Sequence, residues 1–269
     1  MPIAAFLLAL SSAFVHALWN LLLARARDSE VATAVALITG ATVFAPVAAL
    51  TWQLDSGVWP YLAASATLEV LYFGLLAAAY NRGELSLIYP VARGSAPLLV
   101  ALFSVILLGT TLHTLTVVGI VLIAVGIVCV RGFAAGERVH LAFALAIGAT
   151  VASYTLFDKA GLHHAQPFTY LELVILPSAI AYPLWIRKPL QPSPASVVAG
   201  IAMFGAFGLA LAAIRLAPQA FVPGVQALRE TSVVIAVAAS ALFLHERVSR
   251  VRLAGAIVVL GGVVALALA

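Results

Sequence analysis

Charge is scarce in this chain. Asp, Glu, Lys and Arg make up 9% of the 269 residues, while hydrophobic residues make up 64%. Soluble domains carry roughly 25% charged and 45–50% apolar residues. A water-soluble fold of this length could not hide so much apolar surface, so the sequence reads as an integral membrane protein. There is one cysteine, Cys129, inside an apolar run. A disulfide framework and a cysteine-based metal site are thereby excluded. The opening MPIAAFLLALSSAFVHALWN has no basic segment ahead of its apolar part and no small-residue cleavage signal. It reads as an uncleaved first membrane helix rather than a signal peptide. Nothing resembles a nucleotide-binding loop, so ATP is not expected to drive the protein in cis. The formal charge of +4 does not point to nucleic acid, because the basic residues sit mainly in short loops between apolar runs.

Those apolar runs are the dominant feature. A membrane-crossing helix needs about 20 mostly apolar residues. Ten runs qualify, near 3–23, 31–52, 60–80, 85–108, 115–131, 141–157, 168–186, 196–214, 220–244 and 251–269. They lack the polar–apolar alternation of barrel strands. Small residues are scattered through them, as helix packing in lipid favours. The expected fold is an all-α integral membrane protein of ten transmembrane helices.

Loop charge is lopsided. Loops 1–2, 3–4, 5–6, 7–8 and 9–10 share one side and hold Arg25, Arg27, Arg82, Arg131, Arg138, Arg187, Lys188, Arg247, Arg250 and Arg252. The opposite side holds Lys159 and Arg215. The positive-inside rule places the first set in the cytoplasm and both termini outside.

The two halves resemble each other. Arg229 stands 136 positions after Arg93, and the same shift superposes Ser104 on Ser240, Leu108 on Leu244, Gly119 on Gly255 and Gly126 on Gly262. Apolar matches are cheap here, but an arginine and two glycines in one gapless register are not. The unit is five helices, set at 1–133 and 134–269. Five is odd, so the halves cross the membrane in opposite directions. Inverted repeats are a recurrent transporter plan, with the site near the midplane where the halves meet.

With the early ALWN and the ending FLHERVSRVRLAGAIVVLGGVVALAL, the whole chain resembles the drug/metabolite transporter superfamily, specifically its EamA-type ten-helix members. In those members each half commonly ends with an apolar helix, a Gly-Glu-like turn and a Gly-containing final helix. The second half keeps the acid as His245-Glu246; the first has Gly109-Thr110 instead. The resemblance implies a transporter in a bacterial inner membrane, not an enzyme, and termini on the cytoplasmic side. The function expected is secondary active or facilitative transport of a small metabolite or drug-like solute by alternating access around a central cavity. A flippase for a lipid-linked sugar or lipid, or a membrane enzyme on a lipid substrate, is the alternative. No cofactor or metal is called for. The expected partners are a small-molecule substrate, a coupling proton and the lipid bilayer; a homodimer stays open.

Few polar groups lie inside the spans, and such residues normally face a cavity or a partner. Arg93 and Arg229 form the leading pair, read either as cations for an anionic or carbonyl group or as members of structural ion pairs such as Glu69 with Arg93. Arg229 and Glu230 are adjacent, about 100° apart on a helix, and need separate partners. Glu69 shares a face with Tyr72 and could carry the proton. His16, Trp19 and Asn20 form a polar–aromatic stripe. Tyr89 lies four residues before Arg93, and Gln226 within a turn of both Arg229 and Glu230. These ten residues are the candidate cavity lining. Pro90, Pro97, Pro218 and Pro223 are read as helix kinks, the four repeat glycines as packing positions, Asp158 and Lys159 as interfacial, and His163 and His164 as solvated.

Overall fold

The computed structural model of the chain describes residues 1–81, 85–131, 138–235, 238 and 249–269. Among these are ten α-helices: α1 (Ile3–Ala24), α2 (Ser29–Leu50), α3 (Trp59–Asn81), α4 (Leu85–Leu108), α5 (Thr114–Arg131), α6 (Arg138–Gly161), α7 (Pro167–Ile186), α8 (Pro194–Leu216), α9 (Val222–Glu230) and α10 (Arg250–Leu268). Six of them, α1, α2, α6, α7, α8 and α10, contain stretches long and apolar enough to cross a membrane, and Ala92–Leu108 and Thr114–Cys129 are shorter apolar stretches. The chain is an all-α, multi-pass integral membrane protein.

Local signals set the helix ends. The Asp28 carboxylate accepts from the backbone N–H groups of Glu30 and Val31 and starts α2. Ser193 and Ser196 cap α8 reciprocally, with Pro194 in the first turn, where its missing N–H costs nothing. Gly109 ends α4 with φ of 63°, while Thr110 N–H reaches back to the Ser104 carbonyl; this left-handed stop is open to glycine at no steric cost. The Gly109-Thr110 departure from the family turn is thus a helix terminator. At the end of α8, the Lys159 ammonium donates to the carbonyls of Ile214, Arg215 and Ala217. Lys159, in the last turn of α6, is therefore a buried cap on the end of a neighbouring helix.

Two of the four prolines, Pro218 and Pro223, differ from expectation. α4 runs unbroken from Leu85 to Leu108 through both Pro90 and Pro97. Pro218 leads into a short 3-10 turn (Gln219–Phe221), and Pro223 lies in the first turn of α9. Both start the ninth helix instead of kinking it. That helix also stops early. It was expected to run unbroken to 244, but α9 ends at Glu230 and turns at Thr231, and 232–235 are again helical. The Thr231 hydroxyl donates to the Leu228 carbonyl at 2.6 Å, and the Thr231 N–H takes the same acceptor. The tightened turn follows from that competition for one carbonyl.

Packing is inside-out, as lipid demands. On α1, Ala5, Ala9 and Ala13 are fully buried while Leu7, Phe14 and Leu18 face outward. The small stripe lets α1 lie close to α8, where the Ser12 hydroxyl donates to the Ala206 carbonyl at 2.7 Å. α1 packs on α8 as α6 packs on α3; α2 packs on α8 as α7 packs on α3; α4 meets α6 as α9 meets α1. Exchanging the halves converts each contact into its partner. Three pairs map onto themselves: α2 with α7, α4 with α9, and α5 with α10. In the last, a Cβ at Gly119 would lie 2.9 Å from the Gly262 carbonyl oxygen, and one at Gly126 would lie 2.7 Å from that of Gly255. The repeat glycines are close-packing positions.

Candidate functional site

Five helices bring polar side chains to the centre, α1, α3 and α4 from the first half and α6 and α9 from the second, and α8 adds the Phe207 ring. The core is an ion pair that joins the halves. Arg93 Nη1 donates to Glu230 at 3.0 Å, with Glu230 buried completely. The other Arg93 terminal nitrogen lies 3.0 Å from His16 Nε2. A guanidinium can only donate, so Nε2 accepts and the imidazole proton sits on Nδ1. Gln226 links the rest: its amide nitrogen donates to Glu230 at 2.9 Å, and its carbonyl oxygen accepts from Arg229 Nη1 at 3.3 Å. The result is one hydrogen-bonded chain from α1 through α4 to α9.

An aromatic cage flanks this chain. The Arg229 guanidinium carbon lies 5.1 Å from the centre of the Phe207 ring. Trp19 meets His16 edge-on at 4.7 Å, and Phe207 approaches both. Arginine over an aromatic face gains from the ring quadrupole, the more so when desolvated.

Several buried polar atoms in or beside the cluster have no hydrogen-bond partner among the described residues: His16 Nδ1, Trp19 Nε1, Arg229 Nε and Glu69 Oε2. Three are donors and one is an acceptor. A buried polar atom left unpaired costs about 1–3 kcal/mol, so groups gathered this way call for a complementary ligand or water.

Glu69 does not pair with Arg93 as the sequence allowed; Arg93 takes Glu230 instead. Register explains the choice. The α4–α9 contact brings Arg93 against the second half, and Glu230 is turned away from its neighbour Arg229, as adjacent helix positions must be. Glu69 lies in a second polar group, within electrostatic reach of Arg229, Arg93 and Asp158. Tyr72 and Tyr154 meet edge-on beside it at 6.3 Å. Asp158, expected at the membrane interface, is buried and accepts a hydrogen bond from Ser65, one turn before Glu69 on α3. Asn20 turns its amide onto the His16 carbonyl. Tyr89 falls among the side chains that lie outside the described residues. His164, read as solvated, lies 2.9 Å from Asp55 through Nδ1 and stacks on Tyr61. Sequence reasoning missed Phe207, Tyr154 and Ser65, and read Asp158 as interfacial rather than as part of the polar centre. The first two are aromatics among many. For Asp158, the signal was its place four residues after Tyr154, on one face of α6.

A family model described as "EamA-like transporter family" matches the chain twice, over residues 3–132 and 139–268. The chain belongs to that family. Membership makes it a membrane transporter of the drug/metabolite type, and the two matches begin 136 residues apart (139 − 3), the register that superposes Arg93 on Arg229. No curated protein sequence matches this EamA-type chain. A solved structure described only as "Crystal structure of protein" shares its fold, with a TM-score of 0.79 at 16% identity over 98% of this chain and 95% of that one.

Proposed function

We propose that this EamA-type protein is a secondary active or facilitative transporter of a small metabolite or drug-like solute, in a bacterial inner membrane. The solute binds at the Arg93–Arg229 cluster, and the two halves rock around it to give alternating access. The observation that carries this reading is the set of unpartnered buried atoms at His16, Trp19, Arg229 and Glu69. Its three donors suit an anionic or carbonyl group on the solute, and the Glu69 oxygen suits a donor on the same molecule or a coupling proton. Phe207 and Trp19 supply an apolar wall. The inverted-repeat plan places such sites where the halves meet.

The test is flux into proteoliposomes loaded with candidate solutes, with and without a pH gradient. Transport of at least one solute is expected, lost in the Arg93→Ala, Arg229→Ala double variant when that variant still elutes as a folded, monodisperse species. Undiminished flux in the folded double variant would remove the site assignment. Where a pH gradient drives flux, Glu69→Gln is expected to abolish the gradient dependence.

A further inference from the structure

The face that carries loops 1–2 and 7–8 has a cleft that the central site does not use. Its cavity measures ≈ 530 Å³ and is lined by Leu22, Arg25, Arg27 and Asp28 from the first half and by Lys188 and Ser196, among others, from the second. It runs along the end of α1. Leu22 lies three residues from Trp19 of the central cage, close to one helical turn. Along α1 the cavity wall at Leu22 is therefore about 5 Å of helix rise from Trp19 and about 9 Å from His16.

Across this cleft, among the described residues, one side chain makes the polar tie between the halves, beside the packing of α8 on α1 and α2. Lys188, just beyond α7, donates to Asp28 Oδ2 at 2.8 Å and lies 2.5 Å from Glu30 Oε2. Asp28 and Glu30 sit at the start of α2, where the helix N-terminus favours negative charge. Glu30 is buried, and its other oxygen has no hydrogen-bond partner among the described residues. Moving Lys188 away would leave that carboxylate without its cation.

The opposite face is held differently. There, loop 2–3 and loop 6–7 form an antiparallel bridge between Leu54 and Ala165. Asp55 N–H donates to the His164 carbonyl and Gln166 N–H to that of Gln53, both at 2.9 Å. The side-chain contacts Asp55–His164 and Gln53–Gln166 add to them, and Thr169 donates to Thr51. Exchanging the halves turns loops 1–2 and 7–8 into loops 6–7 and 2–3, so the two ties are counterparts. One is a backbone-paired zipper; the other is a single lysine.

We propose that the cleft between loops 1–2 and 7–8 is the portal to the central site on the arginine-rich face, that Lys188 is its gate, and that it admits solutes bearing a negative group. The inference rests on the central cluster being the solute site. The gate opens when Lys188 releases Asp28 and Glu30, while the zipper at the far end of the α2–α7 pair stays closed and acts as the hinge. Charge selection comes from the lining, where Arg25, Arg27 and Lys188 face one acid, Asp28. Such a rim concentrates anions at the mouth, and it leads to donors that want an acceptor.

The experiment reads accessibility rather than transport, so its outcome is independent of whether a solute is found. In a Cys129→Ser background, Ala199→Cys places a thiol about one turn inward from the cleft-lining Ser196, on the same face of α8. Membrane-impermeant methanethiosulfonates are applied from each face of oriented vesicles, one reagent carrying a sulfonate and one a quaternary ammonium. The sulfonate reagent is expected to react faster from the arginine-rich face, and Lys188→Gln to raise its rate about threefold or more, the size that one half-exposed ion pair and one to a buried acid can hold back. Lys188→Arg is expected to keep the slow rate, and Arg25→Gln with Arg27→Gln to erase the preference for the anionic reagent. An unchanged rate in folded Lys188→Gln would overturn the gate. An equal rise from both faces would overturn the portal's sidedness. Equal reaction of the two reagents in the parent would overturn the charge selection.

Discussion

At the scale of single residues, the Arg93–Glu230 pair decides how the centre responds to mutation. Removing one partner of a buried ion pair leaves a desolvated charge and costs about 3–5 kcal/mol, whereas replacing both with apolar residues of similar size costs far less. Arg93→Met alone should therefore lower the detergent-solubilised melting temperature strongly, and the Arg93→Met, Glu230→Leu double variant should recover much of the loss. Equal destabilisation by the single and double variants would argue against the pairing. Arg229 should behave differently. Its guanidinium lies over Phe207, and its Nε has no hydrogen-bond partner among the described residues. Arg229→Lys keeps the charge but loses the planar donor set, so flux should fall while the melting temperature moves little. The sequence made Arg93 and Arg229 legible, because ionisable groups in an apolar chain are few. It did not disclose which acid each would meet. Glu69 and Glu230 were equivalent on paper, and the partner was settled by the packing of α4 on α9, a long-range contact with no local signature.

Among the elements, the α5–α10 crossing is set by glycine. Gly126→Val would push a Cβ to within 2.7 Å of the Gly255 carbonyl oxygen, and overpacking of this sort costs about 1–3 kcal/mol. Gly205→Ala and Gly261→Ala are controls, since nothing lies within 4 Å of an added Cβ at either. Thermal unfolding of the three variants should separate the first from the other two. The ten apolar runs were readable because span length is fixed by bilayer thickness, and the glycine register was readable because the halves share it. The end of α9 was not. Thr231 in an apolar run looks like an ordinary small helix residue, and only its bond back to Leu228 marks the turn.

For the whole molecule, the ties at the two ends of the α2–α7 pair govern motion between the halves. The Lys188 tie has a defined pH window. Its hydrogen bonds to Asp28 and Glu30 raise the Lys188 ammonium above its ordinary 10.5, so that contribution is complete below 10.5 and is lost as pH rises through the raised value. The bond from Lys188 holds the Asp28 carboxyl below its ordinary 3.8, so that contribution is complete above 3.8 and is lost as pH falls through the lowered value. Arg25 and Arg27 share the cavity, and Arg187 adjoins Lys188. Spin labels at Arg27→Cys and Gln191→Cys should report one unchanged closed distance from about pH 5 to 9. A shift inside that window would mean that another group controls the face.

The glycine crossing has a genetic consequence. The Gly119–Gly262 approach and the Gly126–Gly255 approach become one another when the halves trade places, so the contact is isologous, as in a two-fold dimer. Either half presents a surface complementary to an upside-down copy of its counterpart. A chain assembled from two copies of the first half, joined so that the second inserts in reverse, would meet itself at Gly119 and Gly126 through the same two close approaches. The present sequence keeps that seam in both halves, with Gly255 and Gly262 standing 136 positions after Gly119 and Gly126.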